Sequence, residues 1–185
     1  FQAAIQMIID FHTHCFPDTL APKALNSLKD HALQSYRFPC TDGTVSGTEA
    51  HIKNQGVDRA VVCNIATNAH QQPKVNAFAI SIANISNVLY SLGSLHPDGE
   101  NKREEMELLK NAGIRGIKIH PDYMGTNIDD PKFEEIFELC DRITVLRDGT
   151  YVDTRYIKDI NMDDIVQMMI GRTIGERFPK REAEI

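Results

Sequence analysis

The feature that most constrains this sequence is a regular alternation of short apolar runs with longer amphipathic stretches over its first 140 residues. Apolar runs typical of strands lie at 7–14, 58–65, 87–95 and 114–120, and a helical pattern follows each of them. Strands that alternate with helices at this spacing indicate right-handed βαβ units and a parallel sheet. The sequence therefore predicts an α/β fold with about four βα units, which corresponds to half of an eight-stranded TIM-type β/α barrel.

The composition of the chain changes near residue 140. All seven histidines precede that point, whereas 17 of the last 45 residues are charged. The change predicts two parts, a half-barrel over 1–140 and a different C-terminal segment over 141–185. Length agrees with this division, because 185 residues are fewer than the roughly 200–250 of a complete barrel.

The C-terminal segment has its own local signals. The runs 142–147 and 150–157 flank Asp148-Gly149, a dipeptide that favours a tight hairpin turn. Asn161 is a suitable N-cap for a helix over 162–170, and Gly171 is a suitable stop. A β-hairpin followed by one helix is therefore expected after the half-barrel.

Composition and charge limit the classes of protein that remain. No apolar run approaches the roughly 18 residues that cross a bilayer, so no membrane span is expected. The net charge of −6 argues against nucleic-acid binding, which normally uses a basic face. A chain that is 42% hydrophobic and 25% charged is typical of a folded cytoplasmic protein.

His12-Thr13-His14 ends the first predicted strand. Residues two apart on a strand point to the same side, so both imidazoles can reach one metal ion. Two ligands from one rigid strand also lower the entropy cost of assembling such a site. The alternative is a pair of half-buried polar residues at a strand end; the apolar run and aspartate that precede the pair favour the metal site.

Two further histidines follow predicted strands, where active sites form in barrels and open parallel sheets. His96 and His120 each precede a proline and could bind ligand or simply begin a loop. Lys118 lies two residues before His120 and is expected on the same side. A lysine in such a place is costly unless it binds an anion, pairs with Asp10 or Asp122, or is carbamylated to bridge metals.

These motifs resemble the amidohydrolase superfamily, in its amidohydrolase-related branch of metal-dependent hydrolases. The resemblance covers about 7–140 and rests on four stretches, which are IIDFHTH (8–14), GVDRAVVCNIAT (56–67), GSLHPD (93–98) and AGIRGIKIHPDYMGTNIDDPKFEEIFELC (112–140). It implies a metal-activated water that attacks a carbonyl or related carbon, a divalent metal such as zinc, and a small-molecule substrate.

In that family His12 and His14 match the first metal pair, and Lys118 and His120 match a segment that lines the pocket. The later histidines and the aspartate of the family are missing, because no histidine follows His120. The resemblance therefore implies a truncated hydrolase with reduced activity or none, and leaves open whether the chain is an enzyme.

A different resemblance begins after Cys140. DRITVLRDGTYVDTRYIKDINMDDIVQMMIGR (141–172) is similar to the end of the first nucleotide-binding domain of a sugar-import ABC ATPase. No Gly-x-x-x-x-Gly-Lys-Ser/Thr loop occurs in the 185 residues, so the segment carries no phosphate cradle. The two resemblances together make the chain look chimeric.

Three hypotheses follow. The first is a reduced metal-dependent hydrolase that assembles as a homo-oligomer through the open barrel edges. The second is a folded, catalytically silent chimera. The third is an interaction fragment related to an ABC ATPase.

Overall fold

The computed structural model describes residues 7–31 and 39–171, with the backbone alone for residues 29–31. The chain divides into two compact units, Phe1–Met124 and Gly125–Ile185, which are called the first unit and the second unit below. The last part of the predicted segment 141–185, residues 172–185, lies outside the described residues.

The first unit alternates strands and helices along the chain. Its elements are β1 (Ile9–Thr13), α1 (Ala21–His31), α2 (Val45–Asn54), β2 (Arg59–Cys63), α3 (Gln72–Ile85), β3 (Leu89–Leu92), α4 (Lys102–Asn111) and α5 (Pro121–Met124). The three strands form one parallel sheet in the order β1-β2-β3. Consecutive strands are neighbours, as right-handed βαβ connections favour.

The core of the first unit lies on one face of this sheet. Ala60 and Val62 of β2 are fully buried, whereas Arg59 and Val61, which precede them in turn, are only half-buried. This alternation follows from the two-residue period of a strand. The buried face joins Ile52 of α2, Ile82 of α3 and Leu89 of β3 in one hydrophobic cluster.

The fourth predicted strand is reduced to a single parallel bridge between Gly93 and Ile117. Two backbone hydrogen bonds make it, from Gly93 N to Gly116 O at 3.0 Å and from Lys118 N to Gly93 O at 2.8 Å. Glycine weakens a strand because it has no side chain to pack and loses more entropy on folding. Gly93 and Gly116 meet at this bridge, which explains why the ladder stops there.

The second unit is built from local pairings. It contains α6 (Glu134–Glu138), β4 (Arg142–Arg147), β5 (Thr150–Tyr156) and α7 (Met162–Ile170). β4 and β5 form the predicted antiparallel hairpin, which is thereby confirmed. Its turn places Asp148 and Gly149 at φ 52° and 73°, the left-handed backbone that a type I′ turn requires.

The predicted helix after the hairpin is also confirmed. Asn161 accepts a hydrogen bond from the backbone N of Asp164, and the Asp164 carboxylate accepts one from the backbone N of Asn161. Gly171 ends the helix in the left-handed conformation at φ 73°. α7 packs against β4, and Val145, Ile165 and Val166 are buried there. A lone hairpin is marginally stable in water, so this packing helps to hold it.

The described residues thus have an α/β fold with a small parallel sheet, as predicted, but they do not show a TIM barrel. Within residues 7–31 and 39–171, no helix has the length and apolar character that crossing a bilayer requires.

Candidate functional site

A β-bulge shapes the end of β1, where the two predicted metal-binding histidines lie. Asp10 is paired with Ala60, but the next pair joins Thr13 to Val62, so β1 contains one extra residue. The Asp10 carboxylate accepts a hydrogen bond from the backbone N of His12 at 2.9 Å. This local bond satisfies an amide that the regular ladder would otherwise use.

The structure places His12 and His14 side by side. Their Nε2 atoms are 3.2 Å apart, and their rings meet edge to face with centroids 5.0 Å apart. Only one of these two nitrogens can donate a proton to the other, so the second must be the acceptor. The pair is therefore a hydrogen-bonded couple in which at least one ring is neutral.

Neutral rings also agree with the electrostatics of the pair. Although part of each ring is open to solvent, desolvation lowers the pKa of His14 to about 4, and the neighbouring His12 adds to this shift. Desolvation also lowers the pKa of His12, and the charge of Lys118 lowers it further. Burial disfavours the charged form of an imidazole, so both rings are neutral near pH 7.

Lys118 and His120 belong to the same neighbourhood. Desolvation and then the Lys118 charge lower the pKa of His120, and Lys118 also contributes to the lowered pKa of His14. The structure therefore brings together four of the five residues that the sequence nominated. The His120 ring stacks on Tyr123 with centroids 4.1 Å apart.

Lys118 forms no ion pair with Asp10 or Asp122, or with any other residue in the described part of the chain. It is half-buried, so its charge is compensated only in part by water. The sequence left three environments open for Lys118. The structure does not show one of them, the ion pair with Asp10 or Asp122.

His96, the fifth nominated residue, follows the C-terminal end of β3 and belongs to a buried polar network. Its side chain is 4% exposed, and its backbone N donates to Oε1 of Gln72 at 2.7 Å. The Gln72 amide in turn donates to the carbonyl of Glu100 at 3.3 Å. A Cβ on Gly99 would stand 2.3 Å from the same Gln72 oxygen, so this turn requires glycine.

Sequence reasoning missed the two α3 side chains that hold this network. Gln72 and Asn76 are both buried, and Asn76 accepts from the backbone N of Ser94 at 2.9 Å while donating to Glu105 at 2.6 Å. They lie four residues apart on one helical face, as neighbouring turns require. One signal could have revealed Gln72 and Asn76 in the sequence, because both amides share a helical face with the buried Ala79.

The fit of these residues to zinc is poor. A structural zinc has four protein ligands and a catalytic zinc has three. In the described residues no group of three or more His, Cys, Asp or Glu side chains could hold a metal ion. The His12–His14 pair alone supplies two nitrogens.

The second unit offers an open cleft of about 420 Å³ between its hairpin and α7. Its charged lining comprises Arg147, Arg155, Asp159 and Asp164. Three of these four groups already have partners, since Arg147 donates to the carbonyl of Met168 at 3.0 Å, Arg155 lies 2.6 Å from Asp153, and Asp164 accepts from the backbone N of Asn161 at 3.1 Å. The cleft is therefore a packing feature of mixed charge and not a preformed ion site.

Comparison with known proteins places part of the chain near the ATP-binding proteins of sugar import. It is 61% identical over 54 residues to the ribose import ATP-binding protein RbsA of Geobacillus kaustophilus, which is 29% of this chain and 11% of that protein. It is 55% identical over 53 residues to the galactose/methyl galactoside import ATP-binding protein MglA of Vibrio cholerae, again 29% and 11%. The chain spans about a tenth of the length of these relatives. No protein-family model matches it.

These findings support one of the two expected resemblances and correct the other. A segment of the chain resembles the ATP-binding protein of a sugar-import ABC transporter. Nothing in the comparisons supports the amidohydrolase superfamily, and the expected metal-dependent hydrolase is wrong, since the relatives are ATP-binding proteins. The expected zinc cofactor is wrong for the same reason and because the described donor groups do not form a metal site.

Proposed function

We propose that this chain acts through its second unit, as an interaction fragment related to the ATP-binding protein of a sugar-import ABC transporter. The identity of 54–61% over about fifty residues to several such proteins is the observation that supports this proposal most strongly. Segment 141–172, for which the sequence predicts the resemblance, lies in the second unit. The unit would act on the cytoplasmic side of the membrane, joined to other parts of such an ATPase.

The local architecture of the second unit supports an interaction role. β4 pairs with β5 and packs on α7, and the hairpin leaves Leu146, Tyr151 and Tyr156 more than 40% exposed. Exposed aromatic side chains supply large contact areas at protein interfaces. In the relatives the matching segment is about a tenth of a much longer protein. We infer that the remainder of such a protein is the partner that these exposed side chains would contact.

The proposal assigns no nucleotide chemistry to these 185 residues alone. They contain no Gly-x-x-x-x-Gly-Lys-Ser/Thr loop, whose backbone amides and lysine hold the phosphates of a bound nucleotide. Titration of the full chain with ATP and Mg²⁺ is therefore expected to show no saturable binding. Tight ATP binding by the full chain would replace the proposal with that of a nucleotide-binding protein.

A segment exchange tests the interaction directly. The 54 aligned residues of the Geobacillus kaustophilus protein are replaced by those of this chain, and ATP hydrolysis by the exchanged protein is measured. Retained hydrolysis is expected. Loss of hydrolysis in a protein that still folds would show that the segment is no longer compatible with an ATPase.

The matched control carries Val145→Asp in the exchanged segment. Val145 is 5% exposed, so an aspartate there buries an unpaired charge between β4 and α7. Hydrolysis is expected to fall in this control, which shows that the assay depends on the packing of the segment.

Three expectations about the whole chain stay predictions. The first is a boundary near residue 140, which lies inside the second unit and is supported by the change in charge and histidine content. The second is a homo-oligomer through the open sheet edge, where Met7 and Phe11 are 58% and 63% exposed, and sedimentation tests it. The third is a small-molecule substrate, which was expected only if the chain is active as an enzyme.

A further inference from the structure

The open cleft of the second unit has apolar side chains below a charged rim. Val152 of β5, Met168 of α7 and Ile160 between these two elements line the cleft and are half-buried, whereas its four charged lining residues are exposed. These three apolar residues are called the apolar floor below. Covering apolar surface is favourable, and the cleft volume of about 420 Å³ lies in the range of pockets that take ligands. The cleft can therefore receive a large apolar side chain.

The rim of the cleft has one charge without a partner. Arg147, Arg155 and Asp164 are each engaged by a neighbouring group, as described above. Asp159 forms no hydrogen bond or ion pair through its carboxylate with any residue of 7–31 or 39–171. Complementary charge favours one partner over another at an interface. The cleft thus favours an apolar group that has a cation beside it.

The chain continues from the edge of this cleft. Gly171 lines the cleft and is the last residue described, and its left-handed backbone changes the direction of the chain at the end of α7. Residues 172–185 follow it directly and lie outside the described residues. A segment tethered beside a site has an effective concentration of roughly millimolar order. This segment therefore competes well with separate molecules for the cleft.

The sequence of residues 172–185, RTIGERFPKREAEI, has the chemistry that the cleft favours. Phe178 is its one aromatic residue, and an aromatic ring offers a large apolar area for burial. Arg177, Lys180 and Arg181 lie within three residues of it. An apolar ring with cations beside it is complementary to an apolar floor with an unpartnered carboxylate on the rim.

The length of the segment allows this contact. Phe178 is seven residues beyond Gly171, so it can lie up to about 25 Å away. The cleft is lined by α7 from Asp164 to Gly171, which corresponds to about 10 Å along the helix axis. Phe178 can therefore reach every part of the apolar floor.

We propose that residues 172–181 dock in the cleft of the second unit of the same chain. The Phe178 ring covers the apolar floor, and the basic side chains near it lie beside the Asp159 carboxylate. The exposed hairpin side chains Leu146, Tyr151 and Tyr156 do not line the cleft. Docking therefore leaves that surface open, and the contact does not depend on the function proposed above.

A single fluorescent probe tests the docking in the full chain. The chain contains no tryptophan, so Phe178→Trp introduces one indole whose emission reports its surroundings. We expect emission at shorter wavelength and weaker quenching by acrylamide than in the same chain unfolded in urea, with no change on dilution. Quenching as strong as in the unfolded chain overturns the proposal. Emission that changes with protein concentration places the segment on a second copy and also overturns it.

Two neighbouring methionines of α7 provide a matched comparison in the Phe178→Trp background. Met168 and Met169 are both half-buried, but only Met168 lines the cleft. Glutamine is similar in length, polar and nearly as favourable in a helix. Met168→Gln is expected to move the emission to longer wavelength and to increase quenching, whereas Met169→Gln should change neither. Equal effects of the two substitutions, or no effect of Met168→Gln, overturn the proposed contact.

The charge is tested at exposed positions, where substitution does not disturb the packing of the unit. Asp159→Asn removes the unpartnered carboxylate of the rim, and Asp163→Asn is its control, since Asp163 is exposed on α7 and does not line the cleft. We expect more quenching of the indole in Asp159→Asn and no change in Asp163→Asn. Added salt should increase quenching in the parent and have less effect in Asp159→Asn, because salt screens exposed charges. Equal responses of the two variants would contradict the docking of this basic segment beside Asp159.

Discussion

Gly93 lies against the side chains of Leu109 in α4 and Asn76 in α3, and substitution by alanine should destabilise the first unit. A Cβ at this position would stand 2.3 Å from Cδ1 and 2.7 Å from Cδ2 of Leu109. The shorter distance is roughly 1.2 Å below the ordinary carbon contact of about 3.5 Å. Leu109 is 1% exposed and packs with Ala79 and Ile114, so its side chain has little space in which to move.

The magnitude follows from two opposing effects. Overpacking a core costs about 1–3 kcal/mol, whereas replacing glycine by alanine recovers about 0.4–1 kcal/mol of backbone entropy. Gly93→Ala is therefore expected to lower the free energy of unfolding by about 1–2 kcal/mol. Gly116→Ala is the matched control, because its Cβ would meet only Leu92 Cδ2, at 3.3 Å. Its cost should be small.

The assay must report on the first unit alone. Cys15 and Cys63 lie in that unit and are 3% and 4% exposed, and burial raises the pKa of Cys15 to about 12. Their modification by a thiol reagent in increasing urea, resolved by peptide mass spectrometry, therefore follows opening of the unit.

A double-mutant cycle supplies the decisive comparison. In a Leu109→Ala background the added methyl group of Gly93→Ala enters a cavity, so its cost should disappear or change sign. The same cost with and without Leu109 would refute this account of the close contact. A cost no larger than that of Gly116→Ala would refute it as well.

Three further predictions concern caps and acid stability. Asn161→Ala should lower the stability of the second unit by about 1 kcal/mol, and Asn161→Ser should restore most of it, as measured by modification of Cys140 in urea. Gly171→Ala should cost about 1–2 kcal/mol in the same assay, because φ is 73° and the new Cβ would stand 2.5 Å from Nη1 of Arg147; a neutral effect would contradict the left-handed cap. Lowering the pH from 6.5 towards 4 should destabilise the first unit, since the pKa of His14 is lowered to about 4 and the unfolded chain binds the extra proton. The full shift corresponds to at most about 3.4 kcal/mol, which solvent exposure reduces to roughly 1–2 kcal/mol. His14→Gln should flatten this pH dependence in thermal unfolding, and an unchanged slope would show that His14 is not its source.

Local signals predicted the second unit well because its structure is local. Asp148-Gly149 supplies two residues that adopt positive φ, and Asn161 and Gly171 supply the ends of α7. Each of these features depends on a few neighbouring residues, so pattern and propensity suffice to find it.

The first unit was predicted less completely because tertiary contacts decide its details. Periodicity indicated the parallel sheet and placed His12 and His14 together, but it could not show the bulge that the Asp10 side chain stabilises. It also could not show that the fourth strand would shorten to one bridge at Gly93. The chemistry inferred from motifs was wrong for a different reason, since two histidines on a strand do not determine which other ligands surround them.

The sheet topologies of the two units also have a kinetic consequence. In the first unit Ile8 and Asp58 meet across 50 residues of sequence, whereas in the hairpin Thr144 and Thr154 meet across 10. Closing a long loop costs chain entropy before the contact can form, and non-local pairing slows folding. The second unit should therefore fold faster than the first, although the ribosome finishes its synthesis later. During synthesis the parallel sheet would remain open for longer, which makes the first unit the part that depends most on protection from aggregation.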